Sequence, residues 1–111
     1  MKNTIYPVEL ITLNTKKDSL DQVVEETRSA VSVFAEISSV SQTEFFSAGR
    51  LGLQPSFRAV IYDFEYSGEP ILKWNNKLYS IYRTYAVAGT DKLELYLEER
   101  GGTKDEPNSS S

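Results

Sequence analysis

The chain has 111 residues, enough for one ordinary domain, and carries twelve basic and sixteen acidic side chains for a formal charge of −4. It contains no cysteine and no histidine, which excludes disulfides, thiol nucleophiles, Cys/His zinc sites and histidine acid–base chemistry together. Domains that hold phosphate backbones are usually net basic, so the acidic balance argues against stable nucleic-acid binding.

From Met1 to Leu13 there is no apolar run long enough for a signal peptide, and nowhere do apolar residues follow one another far enough to span a bilayer. The expectation is a soluble protein made in the cytoplasm, with no membrane contact.

In chain order, Ile5 to Asn14 is the first candidate strand, with Pro7 marking an edge or a strand entry. Thr15 to Gln22 is polar and reads as a loop. Ser19 to Arg28 has two readings. Ser19 as a cap and Leu20, Val23 and Val24 at helical spacing favour a helix, whereas the composition beyond favours loop followed by strand. We take the second.

Val31, Val33, Ala35 and Ile37 alternate with Ser32, Phe34, Glu36 and Ser38, the cleanest period of two in the chain. Phe57 to Phe64 reads as another strand and Tyr66 to Pro70 as a turn. Ile71–Trp74 and Leu78–Val87 form a predicted hairpin across Asn75-Asn76, a pair that tolerates positive φ. Ala88 to Asp91 is a second turn. Leu93, Leu95 and Leu97 alternate with Glu94, Tyr96 and Glu98 in a closing strand, and Ile37 and Leu95 are expected to face inward.

One short helix interrupts this pattern. Ser41-Gln42-Thr43-Glu44 matches a capping box, in which the serine hydroxyl and the glutamate carboxylate each satisfy an orphan amide. Gly49 stands where such a helix would stop. Gly101 to Ser111 has no apolar residue and reads as a disordered tail, leaving residues 1–100 as one domain. Short strands with tight turns must bury their apolar faces against one another. The expected fold is therefore all-β, a small barrel or sandwich of about six antiparallel strands with one inserted loop or short helix.

Four patterns, in order, carry a resemblance. They are Val33-Phe34-Ala35-Glu36-Ile37, then Ser41-x-x-Glu44-Phe45-Phe46-x-Ala48-Gly49, then the strand Phe57 to Tyr62. Last comes Trp74-Asn75-Asn76-Lys77-Leu78-Tyr79-Ser80-Ile81, leading to Leu93-Glu94-Leu95-Tyr96-Leu97. Together they resemble the head–tail joining, or head-closure, family of tailed bacteriophages over Val31 to Glu98. Two departures stand out. Asn76 replaces a glycine common before the hairpin's basic residue, and Thr15 to Gln22 lacks the family's Asp-x-x-Gly turn.

The resemblance implies a structural virion protein at the head–tail connector. It would form a homo-oligomeric ring beneath the portal and adaptor proteins after packaging, narrow or close the DNA channel, and offer the tail proteins a docking surface. Free subunits are expected to be monomeric, packaged DNA to be channel content only, and no cofactor or metal to be required.

Ser41 to Pro55 is the candidate subunit-facing or channel-facing segment, through Ser41, Glu44, Phe45, Phe46, Arg50 and Leu51. The plainer alternative is that Phe45 and Phe46 merely cover an open end of the barrel. Tyr62, Tyr66, Tyr79, Tyr82, Tyr85 and Tyr96 divide among core, protein contacts and, as a rival use, base stacking beside Arg58, Lys73, Lys77, Arg83 and Lys92. Carboxylate pairs can be drawn among Glu25, Glu26 and Glu36, or between Asp63 and Glu65 on one strand face. No motif orients a nucleophile beside them, so an enzyme is not expected. Two alternatives remain open: a tail-completion protein at the head-proximal end of the tail, and an oligonucleotide-binding-type single-strand module.

Overall fold

A computed structural model describes residues 4–100; for residues 23–26 it describes the backbone alone. The tail expected to be disordered, and the Glu25 and Glu26 carboxylates, lie outside what is described.

Six strands and one helix follow one another as β1 (Thr4–Lys17), β2 (Val23–Ser38), α1 (Gln42–Gly49), β3 (Pro55–Tyr62), β4 (Ile71–Trp74), β5 (Lys77–Ala86) and β6 (Lys92–Glu99). The strands close into a barrel in the order β1-β2-β3-β6-β5-β4, and every neighbouring pair is antiparallel. Closure leaves the barrel no free edge, the usual answer to the hazard of unpaired strands. The expected all-β barrel is the observed fold.

Alternation sets which residues enter. Val8 and Leu10 of β1, Val33, Ala35 and Ile37 of β2, and Ala59 and Ile61 of β3 pack with Leu72, Tyr79, Leu95 and Leu97 in one core. Both residues expected inside, Ile37 and Leu95, are buried there. Ile11 and Ile71 form a further buried pair, opposite each other across β1 and β4. Asn75 and Asn76 adopt φ of 56° and 65°, the left-handed pair that a two-residue hairpin requires.

Three details correct the sequence reading. The loop expected over Thr15 to Gln22 is only the tip, because β1 runs on to Lys17 and β2 starts at Val23. There Asp18 closes the turn by accepting from the Leu20 and Gln22 amides through Oδ1, while Asp21 takes φ 63°. The strand expected to reach Phe64 stops at Tyr62, and Asp63–Glu65 form a single 3-10 turn whose Glu65 carboxylate folds back to accept from the Tyr62 amide. Asp63 and Glu65 therefore do not share a strand face. Gly49 ends α1 without left-handed geometry; the residue with positive φ is Gly52, at 84°.

The paired length of β1 and β2 exceeds what the barrel uses. β4 covers β1 only from Glu9 to Ile11, and β3 covers β2 only from Glu36 to Ser38. Beyond Ile11 the two strands continue as a bare ladder from Thr12↔Ser29 to Lys17↔Val23. At about 3.3 Å per residue this arm reaches roughly 20 Å past the barrel. The long axis of the molecule is accordingly 51 Å, against 29 and 24 Å for the others. Since β2 runs from the arm into α1, arm and helix emerge from opposite ends of the barrel.

Candidate functional site

The helix segment is built as a short arm pinned at two points. Ser41 caps it, its Oγ accepting from the Glu44 amide at 3.1 Å. The reciprocal half of the expected capping box is not made. Glu44 instead turns toward the barrel, where Oε2 accepts from the Tyr82 hydroxyl at 2.7 Å and Oε1 accepts from the Arg83 guanidinium. A bulge in β5 makes this possible: the register against β6 slips between Ile81 and Arg83, so Tyr82 is the extra residue. The second pin is Ala48, the one buried residue of α1.

Burial pushes the Glu44 carboxyl up, but the hydrogen bonds from Arg83 and Tyr82 and the guanidinium charge outweigh it, leaving the carboxyl below the usual glutamate value. Burial, then the hydrogen bond to Glu44 and its negative charge, push the Tyr82 hydroxyl well above its ordinary range, against the opposing charge of Arg83. The chain of contacts continues over the outer face. The Arg83 guanidinium lies 4.1 Å from the Tyr96 ring, the Tyr96 hydroxyl donates to Glu94 at 2.6 Å, and Glu94 pairs with Arg58 at 3.6 Å.

Phe45 and Phe46 sit edge to face with ring centroids 5.8 Å apart and are 50% and 60% exposed; Leu51 is 78% exposed. They do not cover the barrel's end. That task falls to Tyr6, Phe57, Trp74 and Tyr79, which stand at the same end of their strands, with Trp74 5.2 Å from Tyr6 and 5.1 Å from Phe57. Of the sequence candidates, Ser41 and Glu44 thus serve to hold the helix, while Phe45, Phe46, Arg50 and Leu51 form the outward surface. Arg50 has no ion-pair partner among the described residues.

The sequence reading overlooked a second exposed apolar surface. Phe34 and Ile5, 69% and 60% exposed, lie on the outer face of β2 and β1. With Glu36, Val60, Tyr62 and Lys92 they line a shallow depression of about 120 Å³. At its rim the Tyr62 and Phe64 rings stack at 5.4 Å, and Lys92 sits 5.4 Å over the Tyr62 ring. Phe34 was visible as the apolar intruder among the polar positions of β2, and that was its signal.

The tyrosines divide as the mixed expectation allowed. Tyr79 and Tyr96 are buried, Tyr66 and Tyr82 half-buried, and Tyr62 and Tyr85 exposed. Among the described residues no group of three or more acidic side chains converges as a metal site, and no helix is long and apolar enough to cross a membrane.

Fold and site define a class: a small, closed, antiparallel β-barrel that projects a two-stranded arm from one end and a pinned aromatic helix from the other. No protein-family model matches the chain, and neither does any curated protein.

Proposed function

We propose that this chain is a ring-forming joint between the head and tail of a tailed bacteriophage. It would narrow or close the DNA channel after packaging and present the surface on which the tail docks. The observation that carries the reading is the bare β1–β2 arm, a paired extension about as long as the barrel is wide, whose described side chains from Leu13 to Lys17 are exposed. A rigid barrel with such an extension suits a subunit that must reach past its own ring, into a channel or onto a neighbouring layer. The resemblance over Val31 to Glu98 supports the same reading, as do the outward Phe45, Phe46 and Leu51. In this role the protein acts by surface complementarity, in the virion, with portal, adaptor and tail proteins as partners.

Removing the chain from the phage genome that encodes it tests the reading. Electron microscopy should then find heads that filled with DNA but emptied or stayed unjoined beside finished tails. Normal infectious particles would refute it. A tail-completion role shares this fold and chemistry and differs in which half-particle is defective.

One observation favours a single-strand-binding alternative: the stacked Tyr62–Phe64 rings beside Lys92 offer a platform for a base. The charge of −4 opposes it. Oligonucleotide binding that weakens steeply with salt is its signature, and the joint reading predicts none at physiological salt.

A further inference from the structure

We infer that the ring contact is head to tail between copies of this chain: Phe46 of one copy seats in the Phe34/Ile5/Tyr62 depression of the next, and Arg50 pairs with Glu36 beside it. The inference rests on the ring-forming reading above and names its two surfaces.

Geometry is the first support. The depression runs over β1, β2 and β3 to Lys92 of β6, whereas α1 leans on β3 and is clasped to Tyr82 and Arg83 of β5. Knob and hole are thus two different surfaces of the barrel. Two different surfaces make a heterologous contact, the kind that propagates from copy to copy and closes into a ring. One self-complementary patch would stop at a dimer.

Size and charge agree. A cavity of about 150 Å³ accommodates a benzene ring, and the depression, at about 120 Å³ and open to solvent, is of the order of one phenyl group. Phe46 and Arg50 lie one helical turn apart and so project from the same side of α1. Glu36 is half-buried, lines the depression and, like Arg50, has no ion-pair partner among the described residues. An unpaired cation beside the knob thus matches an unpaired carboxylate beside the hole. With so few anchors the contact is smaller than a standard stable interface. Free copies are then mostly monomeric and associate where a template raises their local concentration.

The absence of native cysteine makes the test clean. Gly49→Cys lies beside Phe46, where an added Cβ meets nothing within 4 Å, and Ser32→Cys lies two residues from Phe34 on the same exposed face. The two single-cysteine variants are mixed near millimolar concentration and treated with a short bismaleimide. The expected result is a crosslinked heterodimer several-fold in excess of either homodimer. Adding Phe46→Ser should abolish it. Arg50→Glu alone should suppress it, and combining Arg50→Glu with Glu36→Arg in every copy should restore it. The cysteine mixture decides by itself should the swap variant fail to fold. Homodimers as abundant as the heterodimer, or no crosslink in any arm, overturn the contact. Rings seen by microscopy that are indifferent to Phe46→Ser would overturn this contact while leaving the joint reading intact.

Discussion

Glu44 of α1 and Tyr82 of β5 lie 38 positions apart in the sequence and meet in a 2.7 Å hydrogen bond that, with Arg83, ties the helix to the barrel. Because Ala48 is the one buried residue of α1, the clasp sets the stability of the segment locally. Glu44→Gln should cost about 1 kcal/mol, since a charge-assisted pair is lost from a partly solvated site. Hydrogen exchange should speed up at the amides of residues 42–53 and stay unchanged in β3 and β6. Uniform acceleration over the whole barrel would show that the helix is part of the global folding unit.

The same clasp makes a pH prediction. A carboxyl held below its ordinary value stabilises the fold fully above the unfolded-state glutamate value of 4.5, and that contribution is lost as the pH falls through the lowered one. The difference in melting temperature between wild type and Glu44→Gln should therefore be constant from neutral pH to about 5 and shrink below it. A difference that grows on acidification would contradict the clasp.

Replacement of Ile37 or Leu95 by alanine should cost about 2–5 kcal/mol in denaturant unfolding, because each removes methylenes from the packed centre of the barrel. A cost below about 0.5 kcal/mol would place the strand one register off.

The barrel was legible in the sequence because its strands are half buried, and half-burial writes a period of two. Val33, Ala35, Ile37 and Leu93, Leu95, Leu97 carry that pattern, broken on the outer face only by Phe34 and Tyr96. Asn75-Asn76 likewise named its own turn, since few other residues accept that geometry. The arm was not legible. Lys16 and Lys17 continue β1 through backbone pairing alone, with neither face buried, so their side chains bear no periodic mark. The Glu44 clasp was hidden for another reason. Locally, Ser41-x-x-Glu44 is a sound capping box, and only the bulge at Tyr82, distant in sequence, offers the carboxylate a stronger pair of donors. The outer depression is a property of four strands side by side, and no one of them announces it.

The arm supplies a prediction that separates folding from function. Replacing residues 14–27 by Asn-Gly joins Leu13 to Arg28, which already face each other in the ladder. The shortened protein should keep a melting temperature within a few degrees of wild type, because no described side chain of the excised ladder belongs to the core. It should nonetheless fail to support particle assembly. Loss of the folded state on shortening would mean that the arm is part of the barrel's folding unit.

The most direct test uses purified protein and DNA-filled heads isolated from particles lacking this chain. Release of nuclease-accessible DNA is followed over time, with and without added protein, and tails are supplied afterwards. The protein should bind the heads, slow DNA release and restore joining to tails, and the version with the arm excised should not. Heads that retain DNA and accept tails equally well without the protein would contradict the joint reading.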